Sequence, residues 1–207
     1  MTPSIDPNEH DRFLLRQRIK LVINQYEFFL PAADGTPGDR LCFVEQKRFK
    51  FKEDIRFYTD ESKTQELLRI KARQRFDPRA TYDVTDDLDN KVGAIQKVFG
   101  ASLLRSTYRM YDAAGEEVAI TTEKSLGVAL ARRIVGFIPY IENIANWLPI
   151  PYHFVFKHGE RIIGENTRQL FKIRDVYTID MSADSERVLD RRLVLAIAVG
   201  MDALQAR

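Results

Sequence analysis

The segment from Leu193 to Met201 constrains the fold of this 207-residue chain more than any other, because every residue in it is apolar. The surrounding stretch 187–206 is long enough for a helix and has no polar side through its middle. A helix that is apolar all round must be buried on all sides. Since the apolar run is about half as long as a membrane-spanning helix, we expect it to lie inside a protein core.

Most of the chain before this helix predicts antiparallel β-structure. Short alternating runs are separated by turn-forming stretches such as ADGTPGD at 33–39 and DDLDN at 86–90. Closing the sheet into a barrel removes its edges and encloses the apolar helix among the inward-facing side chains. The pattern is typical of a sheet folded into a barrel or a sandwich, and of these we predict a mainly β (α+β) fold, a closed antiparallel barrel of about twelve strands around a C-terminal hydrophobic helix. The predicted strands are 19–31, 40–46, 54–59, 65–74, 80–86, 91–98, 103–111, 117–123, 151–157, 160–166, 168–173 and 176–181.

The chain length fits a single domain. We expect a flexible N-terminal tail over residues 1–14 and one barrel domain over 15–207. Residues 125–149 interrupt the strand pattern with apolar residues at helical spacing, broken near Pro139. They predict one or two short amphipathic helices inserted between strands.

Charge and cysteine content exclude several classes of protein. The 32 Lys and Arg against 30 Asp and Glu give a net charge of +2, too weak for nucleic-acid binding through bulk charge, so no nucleic-acid partner is expected. Cys42 is the only cysteine and predicts a buried, inert side chain rather than a disulfide. With no signal-peptide core at the N-terminus, we expect a cytoplasmic protein, with peripheral membrane attachment as the alternative.

The sequence contains no recognisable catalytic machinery. It has no nucleophile elbow, phosphate-binding loop or dinucleotide-binding glycine pattern. The histidines do not have zinc-site spacing, and His153 and His158 are interpreted as hairpin residues rather than general bases. We therefore expect no enzyme, no cofactor and no metal.

Basic side chains alternate with apolar ones in two successive stretches, which places the cations on one face of an extended strand. Residues 40–75 carry eleven Lys and Arg against six Asp and Glu, a local excess of +5. An anionic ligand would fit such a face, whereas a solvated barrel surface is the alternative. The candidate anion-binding residues are Arg48, Lys50, Lys52, Arg69, Lys71, Arg73 and Arg75.

The inserted segment 125–149 combines arginines with aromatic residues, a composition suited to a helix lying in a membrane interface. Packing against the barrel would require the same apolar stripe, and an oligomer contact is a third interpretation. The candidate membrane or partner contacts are Arg132, Arg133, Phe137, Tyr140 and Trp147.

Two stretches resemble a known family. FVEQKRFKFKEDIRFYTD at 43–60 resembles the opening of the LURP-one-related pattern, and DVYTIDMSADSERVLDRRLVLAIAVGMDAL at 175–204 resembles the close of scramblases and LURP-one-related proteins. Both groups fall in the Tubby C-terminal-like superfamily, whose fold is a twelve-stranded barrel around a central hydrophobic helix. The resemblance covers about residues 15–206, and the insertion at 125–149 departs from it.

The resemblance implies binding properties. Tubby domains bind phosphoinositide headgroups through a Lys-x-Arg pair on a strand, and Lys71-Ala72-Arg73 has that spacing. Scramblases respond to calcium through acidic residues before their buried helix. Solvated acids that cap the helix, with Asp184 or Ser185 next to it, explain the matching residues here more simply. These residues are Asp180, Asp184, Glu186 and Asp190.

These features favour a non-enzymatic binding domain that recognises anionic phospholipid headgroups or a membrane surface. A scramblase-like lipid-handling protein and a protein-interaction scaffold without a small ligand are the alternatives, since fold alone does not determine function.

Overall fold

The computed structural model describes residues 5–19, 23–47, 54–73, 81–98, 106–124, 153–169 and 176–205. Within these ranges twelve antiparallel strands form one closed barrel, which confirms the predicted fold class. A short 3-10 helix, Pro7–Glu9, precedes the first strand, and helix α1, Arg191–Gln205, follows the last. The strands are β1 (Arg12–Ile19), β2 (Ile23–Pro31), β3 (Pro37–Lys47), β4 (Asp54–Tyr58), β5 (Glu66–Ala72), β6 (Thr81–Asp86), β7 (Lys91–Lys97), β8 (Thr107–Tyr111), β9 (Glu117–Glu123), β10 (His153–His158), β11 (Arg161–Gln169) and β12 (Val176–Asp180).

The barrel closes through its first and last strands. Each strand pairs with its neighbours in the sequence, and β1 also pairs with β12, with Phe13 opposite Ile179 and Leu15 opposite Tyr177. Inward and outward residues alternate along the strands, as in β4, where Ile55 and Phe57 are buried between half-buried neighbours. Closure leaves no sheet edge to pair with another chain.

Helix α1 fills the barrel. Its side chains from Leu193 to Val199 are at most 4% exposed, and Met201 is 1% exposed. The predicted burial of this helix on all sides is therefore confirmed, although it begins at Arg191 rather than near residue 187. Among the described residues, no helix is long and apolar enough to cross a membrane.

The strand connections define two ends of the barrel. At the hairpin end, short turns join β2–β3, β4–β5, β6–β7, β8–β9 and β10–β11, and α1 begins. At the insertion end lie the strand ends that the other connections join, namely those on either side of 20–22, 48–53, 73–80, 98–106, 124–152 and 170–175. Because neighbouring strands are antiparallel and consecutive, all connections that follow odd-numbered strands leave from this one end.

Two predicted strand assignments differ from the structure. The sequence predicted one strand over 19–31, but β1 begins at Arg12 and β2 at Ile23, because Lys20, Leu21 and Val22 carry no turn signal. Predicted strands at 160–166 and 168–173 correspond to the single strand β11, which continues through the polar pair Asn166 and Thr167. The count of twelve strands was right because these two errors cancelled.

The N-terminal tail expected over residues 1–14 is corrected for residues 5–14. The 3-10 helix is capped by Asp6, whose carboxylate accepts a hydrogen bond from the Asn8 amide, and β1 already begins at Arg12. The predicted helical insertion at 125–149 lies outside the described residues.

Candidate functional site

Strand β5 presents its basic side chains to the outside of the barrel, as the alternation predicts. Leu68 and Ile70 point inward and are 3% and 2% exposed, whereas Lys71 is exposed. Strand β4 lies on one side of β5 and β6 on the other. The candidate cations Arg69, Lys71 and Arg73 therefore share one outer surface with the side chains of β4 and β6.

Carboxylates from the same surface bind most of these cations. The Arg69 Nε donates to Glu66 Oε1 at 2.8 Å, and Arg73 binds Asp83 through Nε at 3.1 Å and Nη2 at 2.6 Å. Arg56 bridges Asp54 and Glu66. The hydrogen bond to Asp54 raises the pKa of Arg56. These pairs are exposed or partly buried and contribute little stability each, but they neutralise the charge of the surface.

Lys71 differs from Arg69 and Arg73 because no carboxylate among the described residues binds its side chain. Its strand register places it between Asp54 of β4 and Asp83 of β6. Within the described ranges its ammonium group forms no ion pair or hydrogen bond. The described part of this surface thus presents alternating charges, and an anion approaching Lys71 would also meet two carboxylates.

The remaining candidates lie outside the described residues. They are Arg48, Lys50, Lys52, Arg75, Arg132, Arg133, Phe137, Tyr140 and Trp147. The strands that flank these segments are described, and Lys47, Arg73 and Lys124 all lie next to the insertion end. The described strand ends that flank these segments therefore all lie at the same end of the barrel.

The four acidic candidates bind protein groups rather than converging on one point. Asp180 pairs with Arg12 at 3.0 Å and accepts the Ser182 amide, and Glu186 pairs with Arg161 at 3.1 Å. Among the described residues, no group of three or more His, Cys, Asp or Glu side chains could hold a metal ion.

Asp190, rather than Asp184 or Ser185, caps helix α1. Its Oδ1 accepts the Arg192 amide at 2.8 Å, and its carboxylate also binds the Arg192 guanidinium at 2.7 Å. The hydrogen bond between the Arg192 side chain and Asp190 raises the pKa of Arg192. A carboxylate at this position satisfies a free amide and favours the helix dipole.

Arg191 forms a buried network that the sequence did not reveal. Its side chain is 1% exposed and binds Asp184 Oδ2 at 2.6 Å and Asp11 Oδ1 at 2.7 Å. Its amide donates to Asn8 Oδ1 at 2.9 Å. Asp184, itself 1% exposed, also accepts the amides of Val188 and Leu189. The network fastens the N-terminal segment to the start of α1 across the hairpin end.

A second charged cluster covers the outer face of β1–β3. Glu27 is fully buried and pairs with Arg18 at 2.8 Å and with Arg40 at 2.9 Å. The guanidinium of Arg16 lies 5.1 Å from the centre of the Phe29 ring. Since its carboxylate pairs with Arg18 of β1 and Arg40 of β3, Glu27 of β2 links three neighbouring strands.

The histidines and Cys42 also have structural surroundings. His153 Nε2 lies 2.9 Å from the Glu165 carboxylate, and Lys124 Nζ contacts the same carboxylate at 3.0 Å. His158 Nδ1 lies 2.7 Å from the carbonyl oxygen of Val118. Burial favours a higher pKa for Glu165, but the hydrogen bonds from Lys124 and His153 outweigh it and lower the pKa. Cys42 is 2% exposed and burial raises its pKa, which disfavours the reactive thiolate.

Comparison with known proteins identifies the family. A search of curated protein sequences finds no significant match to the chain. The family model described as LURP-one-related matches residues 40–202, which span β3 to most of α1 and more than half of the chain. The match agrees with the twelve-stranded barrel and its central apolar helix. The chain therefore belongs to the LURP-one-related family, within the Tubby C-terminal-like superfamily.

Proposed function

We propose that this domain is a non-enzymatic binding domain that docks its insertion end on an anionic phospholipid surface. The observation that carries the proposal is the unequal charge of the two ends. The connections at the insertion end, counted over 20–22, 48–53, 73–80, 98–106, 124–152 and 170–175, contain thirteen Lys and Arg against four Asp and Glu. The five turns at the hairpin end, counted over 32–36, 59–65, 87–90, 112–116 and 159–160, contain eight Asp and Glu against one Lys.

This difference orients the molecule in the field of an anionic surface. The connections carry +9 at one end and the turns −7 at the other, although the chain as a whole carries only +2. An anionic membrane attracts the first end and repels the second, over distances of about a Debye length. Arg48, Lys50, Lys52 and Arg75 belong to the basic connections, and Arg132, Arg133 and the aromatic residues of 125–149 supply groups suited to the interface.

The outer face of β5 supports the same orientation more weakly. Lys71 and Arg73 lie at the end of the strand that is next to the basic connections. Asp83 already binds Arg73, so a headgroup would have to displace a carboxylate there. We therefore assign the larger share of the affinity to the connections and the smaller share to Arg69, Lys71 and Arg73.

Vesicle sedimentation tests this proposal. At low salt, the protein is expected to sediment with phosphatidylserine-containing vesicles and not with pure phosphatidylcholine vesicles. Each Lys or Arg near an anionic surface contributes roughly 1 kcal/mol, so the triple variant R48Q/K50Q/K52Q should bind about 100-fold more weakly. The triple variant R69Q/K71Q/R73Q should lose less.

A matched control removes the same charge from the opposite end. The triple variant K63Q/K91Q/R161Q changes three cations at the hairpin end and should bind like the unmodified protein. Equal losses of vesicle binding in R48Q/K50Q/K52Q and K63Q/K91Q/R161Q would contradict the proposal. No binding of the unmodified protein to anionic vesicles at low salt would also contradict it, and either result would favour a protein-interaction scaffold. Translocation of labelled lipid in the same vesicles would favour the scramblase-like alternative.

A further inference from the structure

A cavity of about 310 Å³ lies at the hairpin end, between helix α1 and the wall formed by β3, β4 and β5. Its floor is apolar and consists of buried side chains, Leu41, Cys42, Phe57, Leu68 and Leu195, each at most 4% exposed. The N-terminal segment forms the outer side of the cavity. This cavity lies at the opposite end of the barrel from the proposed membrane-binding end.

Two charged residues line the cavity where it reaches the surface. They are Asp6, which is exposed, and Arg192, at the start of α1; the partly exposed Leu67 lies beside them in the cavity wall. The guanidinium of Arg192 already binds Asp190, and the carboxylates of Asp86 and Asp6 add to the negative potential around it. The guanidinium is thus bound by one carboxylate and lies in the negative potential of two others, and the neighbouring turns of the hairpin end are acidic as well.

The size of the cavity limits the apolar part of a ligand. An apolar cavity of about 150 Å³ holds one benzene molecule, so a cavity twice as large holds roughly twelve carbon atoms. The volume is at the lower end of the range for small-molecule pockets. A single alkyl chain of medium length fits this limit, and a two-chain phospholipid does not.

We propose that this cavity binds a single-chain amphiphile with a cationic head, of the alkylamine class. The chain lies among Leu41, Cys42, Phe57, Leu68 and Leu195, and the ammonium group faces the carboxylate of Asp6 at the acidic surface. Arg192 is already paired with Asp190, so it offers no free cation to a carboxylate head. The carboxylate of Asp6 then leaves negative charge at the surface of the cavity, which favours an ammonium head. The proposal does not depend on the proposed membrane binding.

Binding of decylamine, decanol and decanoate to the full chain tests the proposal by calorimetry below the concentrations at which these compounds form micelles. Decylamine is expected to bind most tightly and decanoate most weakly. The variant D6N keeps a good cap for the 3-10 helix and should weaken decylamine binding about fivefold without changing decanol binding. Failure of decylamine to bind, or tighter binding of decanoate, would overturn the proposal.

Two variants fill the cavity, and one keeps it open. C42F places a large side chain in the floor, and C42A leaves the space free at the same position. Decylamine should bind at least tenfold more weakly to C42F than to C42A. If C42F does not fold, L67W narrows the cavity from the partly exposed side and should have the same effect. Equal binding to the filled and open variants would assign decylamine to another surface and overturn the proposal.

Discussion

Replacement of Arg191 by methionine is expected to lower the free energy of unfolding by about 3–5 kcal/mol, because it leaves a buried carboxylate without its partner. Arg191 and Asp184 are each 1% exposed, and their side chains meet at 2.6 Å. The Asp184 carboxylate would keep only its two amide donors, Val188 and Leu189. Chemical denaturation measures the loss. Since domains of this kind are stable by about 5–15 kcal/mol, the variant should lose a large part of its stability.

The adjacent arginine supplies a matched control. The Arg192 side chain is 35% exposed and pairs with Asp190 at 2.7 Å, so R192M should cost about 1 kcal/mol or less. The double variant D184N/R191M removes both charges and should be less destabilised than R191M, which a double-mutant cycle quantifies. Similar losses for R191M and R192M would show that burial of the network contributes nothing.

Replacement of Gly93 by alanine is expected to cost about 3 kcal/mol or more, because the added methyl group has no space. A Cβ atom at this position would lie 2.2 Å from the carbonyl oxygen of Tyr111 and 2.9 Å from Leu193 Cδ1. The side chain of Leu193 could rotate, but the Tyr111 oxygen belongs to the β8 backbone. Strand β7 would have to move away from both β8 and helix α1. Thermal and chemical unfolding measure the effect.

Gly115 offers the same chemical change in open space. It lies in the β8–β9 turn with a φ of +94°, and a Cβ atom there would meet no atom within 4 Å. The variant G115A should therefore cost only the backbone strain, about 1–2 kcal/mol. If G93A were no more destabilising than G115A, close approach of the helix to β7 would not require a glycine.

The sequence predicted those features of the fold that depend on local pattern. The apolar run from Leu193 to Met201 indicated a buried helix, and the alternation along 67–72 indicated which side of β5 faces outward. Where the local pattern was weak, the boundaries were wrong. No turn residue marks the connection after Ile19, and the break predicted at Thr167 lies within β11.

Contacts between distant parts of the chain could not be predicted in this way. Asn8 and Asp11 each lie about 180 residues before Arg191 in the sequence, and only closure of the barrel brings them to it. The pairing of Arg73 with Asp83 depends on the register between β5 and β6, so the sequence showed the cation without its carboxylate. The candidate surface therefore appeared more positive in the sequence than its described part is in the structure.

Closure of the barrel by β1 and β12, followed by α1, has a consequence for synthesis of the protein. The ribosome makes β1 first, and the strand that pairs with it on the closing side appears only after residue 176. The helix that fills the interior follows last. Until Leu193 to Met201 have emerged, the inward faces of all twelve strands lack their central packing partner. Nascent chains that end before Arg191 should therefore expose apolar strand surface and depend on chaperones until the helix has emerged.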